Sequence, residues 1–202
     1  MKIDINKYVG GDTIKSLDIK DKKLIINMTW SKEQLDKALL QAGEALDKIG
    51  IPYFLFGGAL LGLIREGELF PDDDLDFACM AKDITPEIKE KIKTHSNYRT
   101  ESRTVSEHGQ LSFNFNEIRV DLFPMYEFKD RVYMNQISKT GLIWPRHHIE
   151  NMGKIKYLGK EWKTPNDVEG WLKAYYGNWR ERIEDWKWHE DSCNRIDITC
   201  LK

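Results

Sequence analysis

The chain has almost no net charge. Its 31 Lys and Arg stand against 33 Asp and Glu over 202 residues, a formal −2. Such a balance gives no overall basic field, so a nucleic-acid partner is not expected. Cysteine is scarce: Cys79, Cys193 and Cys200 are too few and too scattered for a disulfide framework. That scarcity fits a reducing, cytoplasmic setting. No apolar run approaches the roughly 20 residues of a membrane span, and MKIDINKYVGGDTIK at the start has no signal-peptide core. With 14 Gly, 6 Pro and no internal repeat, collagen-like, low-complexity and disordered classes are excluded. What remains is 41% hydrophobic and 32% charged, an ordinary globular composition on a chain long enough to bury a sizeable core.

The even average covers two local biases. From Glu66 to Asp76, EGELFPDDDLD, six carboxylates (Glu66, Glu68, Asp72, Asp73, Asp74, Asp76) occur without a base. From Lys129 to His189 there are 12 Lys and Arg against 8 Asp and Glu, and six of the seven tryptophans fall from Trp144 onward. Secondary-structure signals give these biases an address. Ser31 and Gln34 form an S-x-x-Q start, followed by Leu35, Ala38, Leu39, Ala42, Ala45, Leu46 and Ile49 at helical spacing up to Gly50. PYFLF (52–56) reads as a buried strand that breaks at Gly57-Gly58 into a short helix, ALLGLIR. Residues 75–80 read as a second strand, and Thr85-Pro86 opens a charged helix to about Thr94. Further strands are expected over 98–105, 110–116, 118–126 and 131–135, with a hairpin turn at Glu107-His108-Gly109. A helix is expected over 166–175, and the remaining C-terminal residues as Trp-rich helix or coil. The expected class is α+β, a mixed sheet flanked by helices. We divide it into an N-terminal strand or arm (1–30), a catalytic core (31–135) and a helical, substrate-side extension of the same domain (136–202).

Side chains alternate faces along a strand, so Asp74 and Asp76 point one way while Leu75 and Phe77 point into the core. Two carboxylates on one patch either raise each other's pKa or hold a cation, and an oxygen-only pair suits Mg²⁺ completed by substrate phosphates. Asp121, alone in the apolar strand R-V-D-L-F-P, is the candidate third ligand. Gly57-Gly58, at a strand end that turns into a helix, allow backbone N–H groups to approach a phosphate. Strand, Gly-Gly, short helix, Asp-x-Asp strand and a later Asp form the layout of nucleotidyltransferase-fold enzymes, which carry out phosphoryl transfer with two metals.

The stretch GGALLGLIREGELFPDDDLDF (57–77) resembles the signature block of the LicD/fukutin family, with V-D-L-F-P around Asp121 and TPND…WLKAYYGNW (164–179) as further matches. The resemblance spans about Ser31 to Trp179, although Pro71 here leads straight into Asp72 where the family usually has an intervening Trp. It implies a transferase that moves a phospho-alcohol, phosphocholine or ribitol phosphate, from a CDP-linked donor to a sugar hydroxyl of a surface glycan, with CMP leaving. It further implies Asp74 and Asp76 as metal ligands and Asp121 as a metal ligand or acceptor of the hydroxyl proton. Gly57 and Gly58 would contact donor phosphates, and Arg65 would serve a phosphate or the structure. The metal would be Mg²⁺ or Mn²⁺. The glycan acceptor would link an otherwise cytoplasmic protein to the inner face of a membrane.

Other readings stand beside this one. A small-molecule, antibiotic-type nucleotidyltransferase using an NTP shares Gly-Gly and Asp-x-Asp, and an inactive nucleotide-binding scaffold keeps the same fold. An EF-hand loop begun by Asp72, Asp74 and Asp76 is excluded because Phe77 stands where that loop demands Gly. Trp162, Trp171, Trp179, Trp186 and Trp188 could stack a base or a choline group, but core packing is the simpler expectation. His147-His148 would point apart in a strand and have no nearby Cys for zinc, and His189, Cys193 and Cys200 lack zinc spacing.

Overall fold

Ser31 begins the first helix as its spacing predicts. In the computed structural model, which describes residues 13–20, 23–95, 111–115, 117–135, 139–183 and 186–201, its hydroxyl accepts from the Gln34 N–H at 3.4 Å. Gln34 Oε1 accepts in return from the Ser31 N–H at 2.9 Å. This capping box opens α1 (Lys32–Ile49), and Gly50, at φ 82°, closes it by donating to the Leu46 and Asp47 carbonyls. Between these caps Leu35, Ala38, Leu39, Ala42, Leu46 and Ile49 form the stripe that the core covers. Removing the cap acceptor in Ser31→Ala is expected to cost about 1 kcal/mol. A melting curve checks this, with an expected fall of about 2–4 °C for a chain of this size.

β1 (Thr13–Lys20) and β2 (Lys23–Thr29) pair as an antiparallel hairpin ahead of α1, and Trp30 then bridges to Asp72. The expected 52–56 strand shortens to β3 (Phe54–Leu55), because α2 (Gly57–Arg65) begins at the glycine pair itself. β4 (Asp74–Met80) follows, then α3 (Pro86–His95), β5 (Leu111–Phe115), β6 (Ile118–Phe128) and β7 (Arg131–Asn135). The strand expected over 98–105 and the turn at Glu107-His108-Gly109 lie outside the described residues.

The C-terminal part departs from the helical expectation. β8 (Thr140–Pro145) and β11 (Arg195–Asp197) extend the main sheet, while β9 (Gly153–Tyr157) and β10 (Lys160–Thr164) make a separate hairpin. Among the described residues there, α4 (Val168–Tyr176) and the short α5 (Trp188–Asp191) are the α-helical segments. The strands were hidden because segments of three to six residues such as TGLIWP, GKIKY, KEWKT and RID are too short to carry a clear periodic signal. Among the described residues the main sheet runs β11-β8-β7-β6-β4-β3, with β5 also on β6.

Most tryptophans are structural, as the simpler expectation holds. Trp144, Trp162 and Trp171 are fully buried and Trp179 nearly so. Trp144 stacks on Trp171 at 4.5 Å, and Phe56, the residue just before α2, stacks on Tyr175 of α4 at 5.6 Å. This aromatic layer fixes α4 and the start of α2 against the same sheet. On the opposite side of α1, Gly43 leaves room for the Trp162 ring, which would stand 2.7 Å from a Cβ there.

Candidate active site

The strand register builds the site. β4 and β6 run parallel, with Asp76 opposite Asp121 and Asp74 opposite Arg119. β5 adds Ser112 on the other side of Asp121. Paired residues share a face of a sheet, so Asp74, Asp76, Arg119, Asp121 and Ser112 project together, while Leu75, Phe77, Val120 and Leu122 fill the core on the reverse face. Oxygens of Asp74, Asp76 and Asp121 lie within 4.8 Å of one another. The three acids expected to act together are therefore brought together from strands separated by more than forty positions.

The patch is recessed from solvent. Asp121 is 2% exposed, and the Asp74 side chain 17%. Ser112 Oγ donates to Asp121 Oδ1 at 2.5 Å, Arg119 Nε lies 3.2 Å from Asp121 Oδ2, and Arg119 Nη2 donates to Asp74 Oδ2. Burial is the main reason that Asp121 is pushed up to about 6, opposed by the Ser112 and Arg119 contacts. Burial, then the charge on Asp74, pushes Asp72 up to about 7. Asp76 is raised well above the usual carboxylate range, by burial and by the charges of Asp74, Asp121 and Asp72, with Arg119 the cation that opposes them. A cluster of carboxylates held this close asks for more positive charge than one half-exposed guanidinium supplies.

The glycine pair forms the lip of this cluster. Gly57 has φ 54°, and a Cβ there would collide with the Asp76 carboxylate; one on Gly58 would stand 2.5 Å from Asp72 Oδ2. The first turn of α2 therefore lies directly against the acids, with Phe56 as an N-cap that provides no side-chain acceptor. Arg65 sits at the other end of the same helix. Its Nη1 donates to the Trp179 carbonyl at 3.2 Å and its Nε to Glu66 at 2.7 Å, so it ties α2 to the turn after α4. Of the two roles implied for Arg65, these contacts match the structural one.

Two members of the site were not anticipated. Arg119 stands two residues before Asp121 in R-V-D, a same-face spacing that was legible in the sequence. Ser112 was not, because its place depends on the β5–β6 register. Replacing Arg119 by Gln is expected to cost about 1–2 kcal/mol, less than a buried pair because the guanidinium is half exposed. Melting in chelator and then in excess Mg²⁺ checks this, the divalent ion restoring most of the loss.

His147 and His148 do not sit in a strand. They lie in the 3₁₀ turn Arg146–Ile149 with ring centroids 4.3 Å apart, beside Asp167 and away from the acidic face. Among the described residues no helix is long and apolar enough to cross a membrane.

Residues 50–167 match the profile of the family described as LicD/FKTN/FKRP, nucleotidyltransferase domain. Curated relatives include the ribitol-5-phosphate transferases FKTN of Mus musculus and Homo sapiens, each 24% identical over 168 residues, covering 78% of this chain and 36% of the relative. The chain thus spans about a third of the length of the curated relatives it matches. Among solved structures, the lincomycin-bound lincosamide antibiotic adenylyltransferase LnuA superposes with a TM-score of 0.50 at 13% identity, over 73% of this chain and 89% of that one. That likeness shows the nucleotidyltransferase fold alone. With more than half of the chain inside the family profile, and the Gly-Gly turn and three aspartates gathered at one sheet face, the protein belongs to the LicD/FKTN/FKRP family.

Proposed function

We propose that the protein is a divalent-metal-dependent transferase that moves a phospho-alcohol, of the ribitol-phosphate or phosphocholine type, from a CDP-linked donor to a sugar hydroxyl. The observation that carries this reading is the register of β4 on β6, which sets Asp76 beside Asp121 under the first turn of α2. Asp74, Asp76 and Asp121 offer an all-oxygen donor set on rigid strands, which fits Mg²⁺ or Mn²⁺ better than a softer ion. Bound there, such an ion neutralises charge on the donor phosphates.

The chain's own residues account for the rest. Backbone N–H groups at Gly57 and Gly58, aided by the positive end of α2, orient donor phosphate oxygens. Arg119, already turned into the acidic face, supplies a second fixed positive charge as the diphosphate enters. The acceptor hydroxyl oxygen forms a bond to the phosphorus that bears the alcohol, the bond from that phosphorus to the bridging oxygen breaks, and CMP leaves. The hydroxyl proton passes to a carboxylate outside the metal-ligand set, and Asp72, whose proton affinity is raised by burial and by the charge on Asp74, suits this role. Recessed side chains around the patch hold water away from the donor phosphorus.

Incubation with CDP-ribitol, CDP-choline or ATP, each with Mg²⁺ and a sugar acceptor, tests the assignment. CMP release from a CDP-alcohol is the expected result. Pyrophosphate release from ATP would replace this reading with NMP transfer to a small molecule. Binding of a nucleotide without release of CMP or pyrophosphate would leave an inactive nucleotide-binding scaffold.

A further inference from the structure

A second set of ligand-type side chains lies away from the acidic face, where the turn after β8 meets the start of α4. We propose that His147, His148 and Asp167 form a binding site for a transition-metal ion of the zinc class, separate from the oxygen-only site of the aspartates. One donor atom from each of the three lies within 4.8 Å of the others. His148 is 6% exposed, and its Nδ1 is buried without a hydrogen bond of acceptable geometry, although Asp167 Oδ2 stands only 2.9 Å away. A nitrogen and a carboxylate oxygen that close, without a proton well directed between them, suit a shared cation. Two donors each about 2.0–2.1 Å from one tetrahedral zinc ion stand about 3.3 Å apart, so this pair opens by a few tenths of an ångström to admit the ion.

The surroundings hold these donors in place. Asp167 Oδ1 accepts from the Gly170 N–H at 2.9 Å as the cap of α4, which leaves Oδ2 turned toward His148. The Asn166 N–H donates to the His148 carbonyl at 2.8 Å, joining the two segments. Gly170 lets the helix lie close, since a Cβ there would stand 2.5 Å from His148 Cε1. His147 is exposed, and one of its ring nitrogens already lies within 4.8 Å of the other two donors. Two imidazoles and one carboxylate select zinc or cobalt over magnesium, whereas the aspartate site has the reverse preference.

Tag-free protein carrying Cys193→Ser and Cys200→Ser, stripped of metal and held in excess Mg²⁺ to fill the aspartate site, is titrated with Co²⁺ and then Zn²⁺. The expected result is one equivalent of Co²⁺ giving visible d–d absorption, displaced by Zn²⁺, with a rise in melting temperature. His147→Ala, at an exposed position, is expected to weaken binding at least tenfold with the far-ultraviolet spectrum unchanged, and Asp167→Asn, which keeps a cap acceptor, likewise. Asp76→Asn should leave the Co²⁺ signal intact. Absence of any Co²⁺ or Zn²⁺ binding would overturn the proposal, as would binding that survives both His147→Ala and Asp167→Asn or that disappears in Asp76→Asn. None of these outcomes depends on whether the aspartate site transfers a phospho-alcohol.

Discussion

Asp76→Asn is expected to lower the transfer rate by at least about 10³-fold while making the metal-free protein more stable. Both effects have one cause. Asp76 faces Asp121 across β4 and β6 with Asp74 and Asp72 nearby, so its charge is costly until a cation shares it. The amide keeps the shape and removes the charge. In chelator at pH 8 the variant should melt about 2–4 °C above the wild type, the shift that about 1 kcal/mol makes in a chain of this size. The pH dependence has a definite sign. Asp121 and Asp72 have folded-state values of about 6 and about 7 against an ordinary 3.8. Their folded forms therefore hold protons that the unfolded chain releases. Their stabilising contribution is full below about pH 4 and is lost as the pH rises through 6 and then 7. Metal-free wild type should thus lose stability from pH 5 to pH 8, and excess Mg²⁺ should reverse that loss. Thermal melts across this range, with and without chelator, check both points. A variant that is inactive and also less stable in chelator would show that Asp76 is held by something other than its charged neighbours.

Gly57→Ala is expected to damage fold and site together. The φ of 54° favours glycine, and the added methyl would strike the Asp76 carboxylate. Backbone strain of about 1 kcal/mol and overpacking of about 1–3 kcal/mol give an expected loss of about 2–4 kcal/mol. Because the methyl displaces Asp76 and the first turn of α2 relative to each other, the rate should fall about 10²-fold or more even at temperatures where the variant stays folded. Gly58→Ala is the comparison. There the φ is not positive and the close neighbour is only the far end of a side chain, Asp72 Oδ2 at 2.5 Å, with the rest of that carboxylate at 3.7 Å. Its stability loss should be the smaller of the two. Chemical denaturation gives the stabilities, and CMP release at a temperature below both transitions gives the rates.

The parts of this account that were readable in the sequence are those written in local spacing. The S-x-x-Q cap and the apolar stripe of α1, the Gly-Gly break and the alternation Asp74-Leu75-Asp76-Phe77 depend on neighbours a few positions apart. Asp121 was legible as an acid stranded in an apolar strand. What required the fold was register: that Asp76 and Asp121 lie side by side, that Ser112 reaches Asp121, and that Arg119 bridges two strands. Arg65 shows the limit in the other direction. Its place in a signature block left a phosphate or a structural role open, and only the fold shows that nine residues of helix carry it to the end of α2 remote from the glycines, against the Trp179 carbonyl. The C-terminal strands escaped notice because β8 and β11 gain their stability from a sheet edge that no local pattern announces. His147 and His148 looked divergent only on the assumption of a strand; in a 3₁₀ turn they lie on one side.

The central claim is that Asp74, Asp76 and Asp121 hold one divalent ion together. Mn²⁺ binding followed by electron paramagnetic resonance measures this directly in the wild type, Asp74→Asn, Asp76→Asn and Asp121→Asn, with His147→Ala as a control. Each Asn variant is expected to lose at least about tenfold in affinity and the control none, and Mg²⁺ to displace the bound Mn²⁺. Equal Mn²⁺ affinity in the wild type, Asp76→Asn and Asp121→Asn would contradict that claim.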